Sequence, residues 1–181
     1  MSKFQLNPTT IEGCYEIQPN VFHDKRGRFI KFYHEQEFQE SGLCSHYEEK
    51  YYSVSNKRVL RGLHFQTPPN SQVKLVSCLF GNLLDVVVDL RKSSKTYGDY
   101  FSTELSSEKG NLLYVPEGLA HGFYSLTDNS IFVSLNSIKY EPASDGGINW
   151  NSIGFEWPDS NPVLSDKDKS MPALKNFTSP F

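Results

Sequence analysis

The stretch VLRGLHFQ, residues 59–66, decides how this chain is read. Val59, Leu60, Leu63 and Phe65 are apolar and favour extended backbone, so the segment predicts a β-strand. It also carries Arg61 and His64, three residues apart, with Gly62 between them. A permanent cation and a titratable ring on a core-type strand face either solvent or a polar interior. A buried cation is costly unless it is paired. A polar interior therefore needs a reason, and a binding cavity supplies one.

The neighbouring segments extend the same pattern. QVKLVSCLF (72–80) and LLDVVVDLR (83–91) are β-rich runs separated by Gly81-Asn82, which predicts a hairpin with a tight turn. NLLYVPEGLAHGFYSL (111–126) reads as two strands joined at Pro116-Glu117-Gly118. In SIFVSLNSIKY (130–140), Ile131, Val133 and Leu135 alternate with Phe132, Ser134 and Asn136, giving one apolar and one semi-polar face. Helix signal is confined to HEQEFQES (34–41), stopped by Gly42, and to a short helix within 159–174. Many short strands with Gly and Pro turns predict a mainly β fold, a sandwich or barrel with room for one small ligand.

Bulk properties exclude several classes. The chain has 181 residues, enough for one domain, 1–181, with a substantial core. A net charge of −3 gives no electrostatic attraction to nucleic acid. No apolar run approaches the length of a membrane span, and no apolar leader opens the sequence, so a cytoplasmic location is expected. Cys14, Cys44 and Cys78 are widely spaced and odd in number, which fits free, packed thiols.

The polar groups set among these strands are Arg26, Arg61, His64, Lys74, Asp85, His121 and Asp168. A cationic lumen with histidine suits a diphosphate ligand and the removal of a carbon-bound proton beside a carbonyl. His64 would be the base, Asp168 its orienting carboxylate, and Lys74 the stabiliser of the enolate oxygen. PEGLAH (116–121) matches part of the cupin metal signature. The earlier strand offers only His64, without a second histidine two residues away, so no metal is expected. His23, His34 and His46 show no ligand spacing.

In order and at matching spacing, DKRGRF (24–29), VLRGLHFQ (59–66), QVKLV (72–76), DVVVDLR (85–91), VPEGLAHGF (115–123), GGINWN (146–151) and LSDKD (164–168) resemble the nucleotide-sugar 3,5-epimerases, a metal-free branch of the cupins. The resemblance implies a cupin-type jelly-roll β-barrel with short peripheral helices. The barrel core would span about 21–157, with the segment 158–181 closing the site. It implies a homodimer, no cofactor, and a nucleoside-diphosphate 4-keto-6-deoxyhexose substrate. It assigns His64 as base, Asp168 as its partner and Lys74 to the C4 oxygen. Arg26 and Arg61 fall near diphosphate and sugar, and His121 is a second active-site histidine.

The chain also departs from that family. The family's proton-returning tyrosine aligns with Ser134, and the lysine after it with Leu135. Tyr124, Tyr114, Tyr140 or water are the candidate replacements. Loss of that acid predicts epimerisation at C3 only, with a full 3,5-epimerase and a catalytically silent binding protein as alternatives. Lys31 stands where the family has a glutamate that accepts from thymine. A lysine only donates, which favours a CDP-linked over a dTDP-linked sugar. Glu49 and Tyr51 replace a glutamine and an asparagine at the nucleotide end. The pathway expected is surface-polysaccharide deoxysugar synthesis, such as O-antigen.

Overall fold

The computed structural model describes residues 4–181, so the first three residues of the expected domain lie outside the described residues. In chain order the strands are β1 (Gln5–Pro8), β2 (Tyr15–Gln18), β3 (Val21–Asp24) and β4 (Gly27–Ile30), followed by helix α1 (Glu35–Glu40). Then come β5 (Glu49–Ser55), β6 (Leu60–Gln66), β7 (Lys74–Phe80), β8 (Asn82–Asp89) and β9 (Tyr100–Ser106). The chain ends with β10 (Leu112–Val115), β11 (Leu119–Ser125), β12 (Ser130–Asn136), β13 (Asp145–Gly147) and helix α2 (Asp166–Lys169).

Two antiparallel sheets face each other. One has the order β1-β2-β10-β7-β12-β5, the other β13-β6-β11-β8-β9. This is the expected jelly roll with short helices at its edges. β1 and β2, ahead of residue 21, already belong to the first sheet. Val76, Cys78, Leu113, Val115 and Phe132 from the six-stranded sheet meet Leu83, Val87, Leu105, Leu119 and Phe123 from the five-stranded one. Cys14 and Cys78 pack here, and burial pushes their thiols up to about 12 and about 11. The outer faces are covered too: α1 brings Phe38 onto Leu75, Leu112 and Leu135. The C-terminal segment lays Phe155, Phe177 and Phe181 over Leu63, Phe65 and Val88.

The expected hairpin across Gly81-Asn82 does not form. Gly81 has the positive φ of a tight turn, +77°, but β7 pairs with β10 and β12 while β8 pairs with β11 and β9. Both strands are interior, so each edge is already occupied. The turn is instead a corner that carries the chain from one sheet to the other. β12 holds a second surprise. Its semi-polar face, Phe132, Ser134 and Asn136, is the one turned inward and fully buried. The apolar side carries Leu135 and Val133 onto the cluster around α1.

Local geometry answers the question posed by residues 59–66. Residues three apart on a regular strand point to opposite faces. Here Arg61 pairs with Phe123 and His64 with His121, so three steps on β6 match two on β11. The extra residue is a bulge at Gly62, and it brings Arg61 and His64 onto one inner face. Gly62 has φ +138°, and a Cβ there would lie 2.6 Å from the Gly122 Cα. Gly62→Ala therefore combines left-handed strain with a backbone clash. It is expected to cost about 3 kcal/mol or more, read as a lowered midpoint in urea unfolding.

Candidate active site

The space between the sheets opens into a cavity of about 460 Å³ that contains Tyr51, Arg61, His64, Lys74, His121 and Asp168 in its lining. A smaller one of about 130 Å³ adjoins it and shares Tyr51, His64, Lys74 and Lys167. Glu49, Asn136 and Tyr140 line this second part. The five-stranded sheet supplies Arg61, His64 and His121. The six-stranded sheet supplies Lys74, Tyr51 and Glu49 from the opposite side.

His64 is oriented from the C-terminal segment. Residues 58–60 and Val163 exchange backbone bonds, Leu60 N to Val163 O at 3.0 Å and Val163 N to Arg58 O at 2.8 Å. This fixes the chain just ahead of α2, where Ser165 caps the helix by accepting from the Asp168 N–H at 3.1 Å. Asp168 then lies with Oδ1 2.5 Å from His64 Nε2. Burial opposes the Asp168 charge, but the bond and charge of His64, then Ser165 and Lys167, hold its carboxyl below the usual range. With Nε2–H given to Asp168, Nδ1 is the basic nitrogen.

His121 forms a parallel pair deeper in the wall. Its Nε2 lies 2.9 and 3.0 Å from the two oxygens of Asp85, which is fully buried. Burial raises the Asp85 carboxyl, and His121 and Lys74 oppose that rise. Lys74 is 8 % exposed. Burial pulls its ammonium down to about 8, while Asp145 and Asp85 favour its charge and Lys167 opposes it. The Ser53 hydroxyl also lines the cavity and is buried without a hydrogen-bond partner in the protein. It is poised for a polar group of a ligand.

Sequence reasoning reached most of this cluster. Arg61 sits at the rim and donates from Nε to Ser55 Oγ at 3.1 Å. Tyr140 donates its hydroxyl to Asp145 at 2.9 Å. Ser134 is fully buried and donates to Asn136 Oδ1 at 2.8 Å. Arg26 and Lys31 are not brought to the cavity. β3 and β4 form a hairpin joined to neither sheet. Arg26 lies between those strands, largely exposed and paired with Asp24 at 2.5 Å, and Lys31 is exposed just after β4. The proposed substitute acids Tyr114 and Tyr124 also fail, because both lie on outward-facing clusters. The sequence reading missed Asp145 and Lys167, which pair with each other at the cavity edge. The period-2 pattern of β12 could have flagged Asn136. No local signal marks Asp145.

Among the described residues no group of three or more His, Cys, Asp and Glu is placed to hold a metal. Each histidine of the cavity faces one carboxylate instead. A base steadied by a carboxylate on one wall, and a buried ammonium on the other, suits removal of a proton next to a carbonyl. Among the described residues no helix is long and apolar enough to cross a membrane.

Comparison with known proteins agrees with this chemistry. The family profile described as dTDP-4-dehydrorhamnose 3,5-epimerase matches residues 8–176. The dTDP-4-dehydrorhamnose 3,5-epimerase of Salmonella typhimurium is 44 % identical over 170 residues, covering 92 % of this chain and 93 % of that protein. A dTDP-4-dehydrorhamnose 3-epimerase from Streptomyces niveus is 38 % identical over 168 residues, covering 91 % and 81 %. Among solved structures, dTDP-4-dehydrorhamnose 3,5-epimerase from Elizabethkingia anophelis superposes with a TM-score of 0.91 at 40 % identity, covering 96 % of this chain and 98 % of that one. With its cavity built from the residues that carried the resemblance, the chain belongs to the dTDP-4-dehydrorhamnose 3,5-epimerase family, a family of isomerases.

Proposed function

We propose that the protein epimerises a dTDP-linked 4-keto-6-deoxyhexose at the carbons flanking the C4 ketone, in deoxysugar synthesis for surface polysaccharide. The observation that carries this is the His64–Asp168 pair set across one cavity from buried Lys74. The ketone acidifies the neighbouring C–H bonds. His64 takes a proton, the electron pair moves into the enolate, and Lys74 meets the charge that grows on O4. A proton then returns to the same carbon from the opposite face. Asp168 steadies the imidazolium, and segment 158–181 closes this side of the site by holding Asp168 in place.

The cytidine preference rested on Lys31, which stands outside the cavity of its own chain. The named relatives carry dTDP in their descriptions, and that nucleotide is the one we take. The C3-only reading rests on the absence of a phenol at Ser134, and one relative is named a 3-epimerase. Arg26 can serve substrate only from a second copy. The β3–β4 hairpin, with Phe22 and Phe29 about 60 % exposed, is the part that would reach a partner's cavity in a homodimer.

Proton NMR in D2O with dTDP-4-keto-6-deoxyglucose tests the proposal. Deuterium at C3 and C5 with formation of inverted sugar supports it. Deuterium at C3 alone establishes the 3-epimerase. Binding without exchange defeats catalysis, and exchange only with the CDP-linked sugar restores the cytidine reading.

A further inference from the structure

We infer that the phenol of Tyr51, on β5, is the acid that returns the proton to the substrate from the face opposite His64. The inference rests on the epimerase reading above. The register of β12 against β5 pairs Ser134 directly with Tyr51. Directly paired residues of antiparallel strands project from the same side of a sheet, with Cβ atoms about 5 Å apart. A tyrosine at either position thus enters the cavity from the same wall. The resemblance implies a tyrosine at position 134 and an asparagine at 51; here the phenol stands one rung across the ladder, at Tyr51 beside Ser134.

Geometry gives Tyr51 the other properties of the acid. It lines both parts of the cavity together with His64 and Lys74. It belongs to the six-stranded sheet, whereas His64 belongs to the five-stranded one. Inversion at carbon needs base and acid on opposite faces of the sugar, and the two walls provide that. Ser134 and Asn136 lie beside the Tyr51 hydroxyl and favour its ionised form. Ser134 donates to Asn136, so its oxygen lone pairs remain to accept from the phenol. Burial raises the Tyr51 hydroxyl above its ordinary value, with Ser134, Asn136 and Arg61 acting against that rise. The phenol is thus protonated at neutral pH and ready to donate, and the Arg61 charge favours the phenolate that forms.

The step balances. The Tyr51 O–H bond breaks, its proton bonds to the enolate carbon, and the enolate electron pair forms the new C–H bond as the ketone is restored. Tyrosinate regains a proton and the imidazolium loses one through solvent at the open mouth.

Tyr51→Phe is tested on dTDP-4-keto-6-deoxyglucose in D2O. The expected result is a fall in epimer formation of about 100-fold or more, while His64 still exchanges the same hydrogen with retention. The thermal midpoint and dTDP binding, by calorimetry, should stay near wild type. Moving the phenol back, as Tyr51→Asn with Ser134→Tyr, should recover at least about tenfold over Tyr51→Asn alone. If Tyr51→Phe forms epimer within about threefold of wild type, the assignment is wrong although the enzyme reading stands. If Tyr51→Phe loses exchange along with inversion and the double variant recovers nothing, Tyr51 is structural and the assignment is again overturned. If wild type itself exchanges no hydrogen, the epimerase reading fails first and the inference falls with it.

Discussion

His64→Ala lowers kcat/KM for epimerisation by about a thousand-fold or more, and hydrogen exchange at the sugar falls with it. A positioned general base contributes about 10²–10⁴-fold, and no second base stands free on that wall. His121 is committed to Asp85 and is 5 % exposed. Affinity for dTDP should change little, because the lost group acts on the sugar. The variant also leaves the buried Asp168 carboxylate without its partner. In wild type that carboxyl titrates below its unfolded value. Its stabilising contribution is present above the unfolded pKa and lost as pH falls through the folded one. His64→Ala removes much of this, so the variant should be less stable than wild type at pH 7 and the gap should narrow on acidification. Paired NMR exchange assays and urea unfolding at two pH values would check both halves. Unchanged exchange would remove His64 from the mechanism.

Lys74→Met is expected to cost about 10²–10³-fold in kcat, the magnitude of losing one oxyanion donor, while raising the thermal midpoint. The two effects have one origin. Burial lowers Lys74 to about 8 from 10.5, so the folded protein binds fewer protons than the unfolded chain between those values. Stability therefore rises with pH across that window. The cost of the buried charge, on the order of 3 kcal/mol, is fully present below about pH 8. Methionine removes the charge and fills the space, with a gain of roughly 2–4 °C per kcal/mol recovered. Catalysis has the opposite sign. Only charged Lys74 stabilises an enolate, so wild-type kcat/KM should fall as pH rises through about 8. An alkaline limb that persists in Lys74→Met would assign that titration elsewhere.

Strands β6–β8 and β10–β12 were legible because each lies in a run rich in apolar, β-prone residues, whereas β1–β5, β9 and β13 are shorter or more polar and were not read. The partition of the strands between sheets was not legible either. Gly81 announces a sharp turn, but whether the next strand pairs with the last depends on which edges distant segments have taken. At the site, His64, Lys74, His121 and Asp168 stood out because charge on a core-type strand or at a turn exit is costly without a use. Arg26 lies on a hairpin joined to neither sheet and Lys31 just after it, and a linear motif does not say which segments fold away from the cavity. Tyr51 was visible but given to the nucleotide, because the rung joining it to Ser134 exists only once β5 and β12 are in register.

The bulge at Gly62 has a consequence for how such strands are copied. Up to Arg61, odd-numbered residues of β6 point inward, whereas from His64 onward even-numbered ones do. The strand is written in two phases, with the glycine as the point of slippage. Transplanting Arg61 and His64 onto a straight ribbon at the same spacing would send one of them outside. Deleting the glycine would instead place them at a spacing of two, in one-to-one register with β11, and both would point inward. The unit to be conserved in design is therefore the count between the two side chains together with the slip, and neither is meaningful alone.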